Sequence, residues 1–126
     1  MFFIIHSDIN ISASLEAKLR LEGFRVVVSN GGEIYEELMC KIEINRPDFI
    51  ISGLDLINID ALQLFRDIRD LESNEENFHP LILVYSNLEK LKDKVIDVGV
   101  NFFISEKDVR IDALVLKIKK ILEKNK

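Results

Sequence analysis

One stretch, from Arg46 to Arg69, constrains the fold more than any other part of the chain. A turn signal at Arg46-Pro47-Asp48 leads into a short apolar run, Phe49-Ile50-Ile51, which is too short for a helix and is bounded like a buried parallel strand. A loop follows as far as Asp60, a residue type that favours the N-cap of a helix. The apolar residues after it fall on one helical face: Ala61, Leu64, Phe65 and Ile68. The stretch therefore predicts strand, loop and helix, which is one step of a parallel α/β sheet.

The rest of the chain repeats this alternation of short apolar runs and amphipathic segments. Four further runs predict strands, at residues 2–5, 25–28, 81–85 and 102–104. We expect Asn10 or Ser12 to cap the first helix and Gly23 to end it. Apolar spacing predicts a second helix over residues 33–44, a short fourth helix ending near Gly99, and a last helix through residues 114–122.

Five strands alternating with five helices define the expected fold. We predict a flavodoxin-like (βα)₅ doubly wound parallel sheet, in strand order 2-1-3-4-5, built as a single domain over residues 1–126. The strand order reverses beside strands 1 and 3, so any site is expected at their carboxyl ends. Those ends carry His6-Ser7-Asp8 and the loop from Gly53 to Asn58.

Composition and motifs exclude several classes of function. The net charge of −5 disfavours non-specific nucleic-acid binding, because phosphate contacts need clustered basic residues. No glycine-rich phosphate loop, no zinc-type Cys/His cluster and no nucleophilic triad occurs, so we expect no cofactor, no metal and no enzymatic activity. No apolar run approaches the roughly 18 residues that span a bilayer. The single cysteine, Cys40, fits a cytoplasmic protein, and its place in a helical pattern favours a small core residue.

The chain resembles the receiver domains of two-component response regulators (CheY-like domains) along essentially its whole length. In that family, Pro-Asp, an apolar strand, the phosphoacceptor aspartate and a loop ending in Met-Asp-Gly precede the next helix. Here Pro47-Asp48 matches, and Ile59-Asp60-Ala61 takes the place of Met-Asp-Gly. The phosphoacceptor position falls on Gly53, so the resemblance implies a receiver scaffold without its reacting carboxylate.

The resemblance also implies that the residues around the phosphoacceptor are replaced. The two acidic positions that bind Mg²⁺ in the family fall on His6 and Ser7, and the invariant lysine after strand 5 falls on Glu106. Mg²⁺ prefers carboxylate oxygens, and phosphoryl transfer needs a nucleophile and cations to neutralise charge. A glutamate at position 106, where the family has lysine, would repel an anionic phosphoryl group. The repulsion is roughly 4 kcal/mol for a close pair of unit charges at an intermediate dielectric. These replacements predict a pseudo-receiver that works without aspartyl phosphorylation.

The family's switch residues map onto the fourth and fifth strands. The switch threonine or serine falls on Tyr85, with Ser86 as the alternative, and the aromatic switch position falls on Phe103. Given the vacated corner that the resemblance implies, Tyr85 is expected to pack over it with its hydroxyl reaching solvent.

Two interpretations of the remaining polar residues stay open. Asp8 and Asp55 are possible displaced acids that, with Glu106, form a cation site or accept the phosphoryl group. They are otherwise loop acids, with Asp8 helping to cap the first helix. His6 either pairs with Asp55 or Glu106, or fills the strand end as a hydrogen-bonded side chain.

A protein partner or a second copy of the chain is expected at one surface by the resemblance. Receiver domains often use the face formed by helix 4, strand 5 and helix 5. The alternative is an ordinary solvated face, and neither nucleic acid nor membrane is expected as a partner. The residues expected on this face are Lys90, Lys94, Asp97, Asn101, Phe102, Lys107 and Arg110.

Overall fold

Five parallel strands form one sheet in the computed structural model, which describes residues 1–75 and 77–124. The neighbouring pairs are all parallel, and the order is β2-β1-β3-β4-β5. This confirms the flavodoxin-like α/β fold and its strand order. The strands are β1 (Phe2–Ile5), β2 (Val26–Ser29), β3 (Phe49–Ser52), β4 (Leu81–Ser86) and β5 (Phe102–Ser105).

Helices cover both faces of the sheet. They are α1 (Ile9–Leu21), α2 (Tyr35–Asn45), α3 (Ala61–Asn74), α4 (Lys92–Asp97) and α5 (Ile111–Lys124), with a 3₁₀ turn (Glu89–Leu91) before α4. Leucines and isoleucines of α1 and α5 pack on one face, and the apolar residues of α2, α3 and α4 pack on the other. Because β1 and β3 are buried on both faces, they occur in the sequence as unbroken apolar runs. No helix in the described ranges combines the length and the apolar character needed to cross a membrane.

The ends of α1 and α3 are set by aspartates. Asp60 caps α3 as predicted, and its carboxylate accepts hydrogen bonds from the backbone N–H groups of Leu62 and Gln63 at 3.0 and 3.4 Å. The expected cap of α1 at Asn10 or Ser12 is wrong, because both residues lie inside the helix. Asp8 caps α1, since its carboxylate is the acceptor nearest to the first free N–H groups.

Helix α2 differs from the sequence prediction at its start and in its exposed face. It begins at Tyr35, because Glu33 lies in the preceding loop and accepts hydrogen bonds from the Ser29 hydroxyl and from Lys41. The expectation that Cys40 is a core residue is wrong. Cys40 is exposed, since Leu38 and Ile42 are the residues of α2 that face the sheet.

Candidate functional site

Four residues from separate parts of the chain meet at the carboxyl edge of the sheet. We call His6, Gly53, Tyr85 and Glu106 the His6 cluster. The backbone of Gly53 donates to the Ile5 carbonyl at 2.8 Å, which continues the β1–β3 pairing past the strand ends. The structure therefore brings together four of the five residues onto which the resemblance maps the phosphorylation site, whereas Ser7 is exposed and its hydroxyl donates to the Asp55 carbonyl.

The His6 ring is held at both nitrogens and is only 6% exposed. Its Nδ1 accepts a hydrogen bond from the backbone N–H of Asp8 at 3.1 Å. An accepting Nδ1 places the proton of the neutral ring on Nε2. That nitrogen lies 3.0 Å from Glu106 Oε1 and 3.3 Å from the Tyr85 carbonyl oxygen, and donates to them. Of the two pairings considered for His6, the one with Glu106 is formed.

The ring of His6 lies close against Gly53 and crowds the position of a Cβ atom there. A Cβ atom added to Gly53 would lie 3.0 Å from Cδ2 and 3.1 Å from Nε2 of His6. These separations are shorter than ordinary van der Waals contact, so either the ring or the β3 end would have to move. The ring of His6, which follows β1, therefore lies close against position 53, and no pattern in the sequence indicated this contact.

Asp8 and Asp55 have different surroundings in the structure. Asp8 uses its carboxylate to cap α1, which is the second of the two interpretations considered for it. Asp55 is exposed, and its backbone carbonyl accepts a hydrogen bond from the Ser7 hydroxyl at 2.8 Å. Within the described residues, no group of three or more His, Cys, Asp or Glu side chains is placed to hold a metal ion.

Tyr85 does not have the environment expected from the sequence. The expectation that its hydroxyl reaches solvent is wrong, because the side chain is 3% exposed and lies in the apolar layer under α1 and α5. Its hydroxyl donates to the carbonyl of Val109, just before α5, at 2.6 Å. Burial, and then the charge of Glu106, raise the pKa of Tyr85 above its ordinary value of 10.0. Through this hydrogen bond, Tyr85 connects β4 to the segment just before α5.

The two residues mapped to the switch positions lie on opposite faces of the sheet. Phe103 pairs in register with Val84 and packs with it against the layer under α2, α3 and α4. Tyr85 packs in the other layer. Because side chains alternate along a strand, Ser86 lies on the same face as Phe103. Its hydroxyl oxygen accepts a hydrogen bond from the backbone N–H of Leu88 at 3.0 Å.

We expect Tyr85→Phe to lower the free energy of unfolding by about 1 kcal/mol at neutral pH, since the Val109 carbonyl loses its donor. A raised folded-state pKa means that the stabilisation by Tyr85 is complete below pH 10. Above that pH the unfolded chain loses its proton first, so the stabilisation falls as the pH rises. Urea denaturation of both proteins at neutral pH and at about pH 11 measures the difference. If the difference in the free energy of unfolding between the two proteins stays constant with pH, the stabilisation does not come from the protonated hydroxyl of Tyr85.

A second candidate site is a groove of about 420 Å³ across the edge strand β5, between α4 and α5. Of the residues expected on this face, Asn101 and Phe102 line the groove. Sequence reasoning missed its lysines, because they belong to two helices that only the fold brings together. We call it the β5 groove, and its lining residues are Lys92, Ile96, Asn101, Phe102, Phe103, Ile104, Lys117, Lys120 and Ile121.

A larger cavity, of about 640 Å³, lies near the amino ends of β3 and β4, away from the His6 cluster. Two of its charged residues are already engaged: Asp48 with the amino terminus at 2.6 Å, and Lys119 with Glu22 at 3.0 Å. Its volume alone gives no reason to place a functional site there.

Comparison with solved structures gives clear likenesses, whereas no family model and no curated protein sequence matches the chain. A two-component response regulator from Clostridium difficile is 21% identical, with a TM-score of 0.79 over 97% of this chain and 94% of that chain. A CheY-like response regulator receiver domain protein from Methanospirillum hungatei is 21% identical, with a TM-score of 0.78 over 98% and 93%.

A third similar structure is the signal receiver domain of a response regulator from Bermanella marisrubri. It is 23% identical, with a TM-score of 0.75 over 96% of each chain. At these identities the likeness establishes the fold, which is that of response-regulator receiver domains, over nearly the whole chain.

Proposed function

We propose that this chain is a receiver-like signalling module that acts through protein–protein contacts, without aspartyl phosphorylation and without enzymatic activity. One observation carries the proposal: the buried ring of His6 lies 3.0–3.1 Å from the place that a Cβ atom at position 53 would take. A phosphoacceptor at that position needs both an oxygen and room for the incoming phosphoryl group. Gly53 has no side-chain oxygen, and the ring of His6 crowds the position at which a side chain would begin.

Electrostatics at the His6 cluster support the same proposal. Glu106 contributes a carboxylate that is hydrogen-bonded to His6, where phosphoryl transfer calls for a cation. An anionic group entering beside it would be repelled by roughly 4 kcal/mol at an intermediate dielectric. The neutral Nε2–H of His6 is already used by Glu106 and the Tyr85 carbonyl, so it is not free to bind a phosphoryl oxygen.

The surface supports a role in protein contacts. We place the partner, another protein or a second copy of the chain, on the face formed by α4, β5 and α5, where the β5 groove exposes apolar side chains. Apolar surface rimmed by charge is typical of interaction sites. We also propose a cytoplasmic location, because a chain with one cysteine forms no internal disulfide.

Incubation with a small-molecule phosphodonor and Mg²⁺, followed by intact-mass measurement, tests the absence of phosphorylation. We expect the mass of the chain to stay unchanged. The matched positive control is the variant His6→Asp/Ser7→Asp/Gly53→Asp/Glu106→Lys, which removes the ring and restores the acids and the cation. A phosphate adduct on this variant shows that the phosphodonor is active and that the fold supports phosphorylation at position 53.

A stoichiometric, hydroxylamine-labile phosphate adduct on the unchanged chain would overturn the proposal. Peptide mapping of such an adduct to Asp8 or Asp55 would establish a receiver phosphorylated at a displaced acid. The variants Asp8→Asn and Asp55→Asn then identify which carboxylate reacts. Asp55→Asn is the cleaner of the two, since Asp8 also caps α1.

A further inference from the structure

Asn30 and Gly31 form the one Asn-Gly pair in the sequence, although the chain contains nine asparagines. They lie in the loop that joins β2 to α2, and Asn30 is exposed to water. The side-chain carbon of an asparagine is open to attack by the backbone nitrogen of the next residue, which closes a succinimide ring. A side chain on that next residue hinders the closure, and glycine has none. The sequence therefore makes Asn30 the asparagine that is most open to this reaction.

Hydrogen bonds in the loop hold both reacting groups. The side-chain oxygen Oδ1 of Asn30 accepts the backbone N–H of Gly32 at 2.8 Å. Negative charge develops on this oxygen when the ring closes, and a fixed N–H donor at that distance stabilises it. The nucleophile is the backbone nitrogen of Gly31, whose N–H donates to the hydroxyl oxygen of Ser29 at 3.0 Å. The proton that has to leave this nitrogen therefore already points at an acceptor.

A carboxylate lies behind Ser29 and is placed to take up this proton. The Ser29 hydroxyl donates to Glu33 Oε1, and Glu33 Oε2 accepts from Lys41 at 3.0 Å. Burial by itself raises the pKa of Glu33, but the hydrogen bonds from Ser29 and Lys41 outweigh it and lower the pKa below its ordinary value of 4.5. Because an ionised carboxylate only accepts, it takes the Ser29 hydrogen and leaves the lone pairs of Ser29 Oγ for the Gly31 N–H. In the pocket of about 350 Å³ beside them, the charged lining residues are Glu33 and Lys41.

We propose that Asn30 is a self-modification site, at which the Gly31 nitrogen displaces ammonia while Glu33 takes up the proton through Ser29. The bond from Gly31 N to Asn30 Cγ forms as the Gly31 proton passes to Ser29 Oγ and the Ser29 proton passes to Glu33. The bond from Cγ to the side-chain nitrogen then breaks, and ammonia leaves with the proton that Glu33 returns through water. Water opens the ring at either carbonyl, which gives aspartate or isoaspartate. This inference goes beyond the proposed function and does not depend on it.

The two products differ in their effect on the structure. Aspartate keeps the backbone path and an oxygen for the Gly32 N–H, whereas isoaspartate routes the backbone through the side chain and lengthens it by one carbon. Gly31 is closely packed: its φ is +77°, and a Cβ atom on it would lie 3.2 Å from Leu56 Cδ2. Leu56 is buried, and it belongs to the loop between β3 and α3 that also contains Gly53. Isoaspartate at position 30 is therefore expected to move that loop.

Ageing of the full chain in neutral and in mildly alkaline buffer, followed by tryptic peptide mapping, tests the proposal. Cleavage after Arg25 and Lys41 releases residues 26–41, in which Asn30 is the one amide side chain. We expect this peptide to gain the mass that separates a carboxyl group from an amide, and to split into aspartate and isoaspartate forms on chromatography. The other asparagines are expected to convert at least about tenfold more slowly. Asn30→Ser is the negative control and is expected to gain no mass.

A matched pair of variants separates proton transfer from general charge. Glu33→Gln and Glu37→Gln each remove one negative charge from the same peptide, and Glu37 is exposed on α2. Glutamine at position 33 still accepts from Ser29 but is a far weaker base, so we expect conversion at neutral pH to slow about threefold or more. Its rate is then expected to rise more steeply with pH than that of the unchanged chain, because hydroxide has to remove the proton. Glu37→Gln is expected to change the rate by less than about twofold.

Amide NMR of the ¹⁵N-labelled chain before and after ageing follows the loop between β3 and α3. We expect the isoaspartate form to shift the amides of residues 53–58. The variant Asn30→Asp is expected to leave them near their original positions, since it keeps the backbone path. Aged Asn30→Ser is expected to leave them unchanged.

Several results would overturn the inference: a 26–41 peptide that stays unconverted, conversion no faster than at the other asparagines, equal rates in Glu33→Gln and Glu37→Gln, or the same pH dependence in Glu33→Gln and the unchanged chain. An isoaspartate form without shifts at residues 53–58 would overturn its structural consequence. None of these results involves phosphate. Conversely, a phosphate adduct would defeat the proposed function without changing the conversion of Asn30, so the two failures are distinguishable.

Discussion

Replacing Gly53 with alanine is expected to lower the free energy of unfolding by about 1–3 kcal/mol, although alanine ordinarily stabilises a protein relative to glycine by restricting the unfolded chain. The added Cβ meets the His6 ring at 3.0–3.1 Å, and the ring is fixed by hydrogen bonds from Asp8 and to Glu106. Gly53→Asp is expected to cost more, because it also places a carboxylate beside Glu106. Urea denaturation monitored by far-UV circular dichroism measures both changes.

A double-mutant cycle isolates the contact between Gly53 and His6. His6→Ala removes the ring, so Gly53→Ala in that background is expected to be nearly neutral. The coupling energy between the two positions should then reach about 1–2 kcal/mol. Additive costs would show that the space at position 53 is limited by something other than His6, and the main support for the proposed function would be lost.

Arg69→Ala is expected to lower the free energy of unfolding by about 2–4 kcal/mol. The guanidinium of Arg69 donates from Nε to the Gly99 carbonyl at 2.8 Å, from Nη1 to the Pro80 carbonyl at 2.8 Å and from Nη2 to Asn101 Oδ1 at 2.7 Å. Hydrogen bonds from a charged donor each contribute about 1.5–3 kcal/mol, and they do not add fully. These three bonds connect α3 to the segments leading into β4 and β5.

The chain contains a matched control for this prediction. Arg66 lies one turn earlier on α3 and is exposed, so Arg66→Ala is expected to change stability by no more than about 0.5 kcal/mol. Arg69→Lys keeps the charge but loses the planar fork, and we expect it to recover less than half of the loss. Equal effects of Arg66→Ala and Arg69→Ala would contradict the assignment of Arg69 as the connection between these elements.

Local sequence patterns were sufficient for the elements but not for all of their ends. Strands β1, β3 and β4 were predictable because apolar runs buried on both faces are continuous. Asp60 was predictable as a cap because an apolar helical pattern begins directly after it. At α1, Asp8, Asn10 and Ser12 are all good capping residues, and only the path of the chain leaving β1 selected Asp8. Cys40 was misplaced because its residue type was given more weight than its position: it lies two residues from both Leu38 and Ile42, which face the sheet, and so falls on the opposite side of α2.

The sequence by itself determined the order of strands and helices, and its resemblance to receiver domains maps their phosphorylation site onto His6, Gly53 and Glu106. The order rests on local periodicity and the mapping rests on the resemblance, and neither needs coordinates. Only the tertiary structure decided that the His6 ring lies against Gly53 and is hydrogen-bonded to Glu106, a residue 100 positions away along the chain. It also decided that Tyr85 is buried and that lysines of α4 and α5 share one groove. Contacts between distant segments depend on strand order and side-chain direction together, and a one-residue shift in register reverses the face of every side chain in a strand.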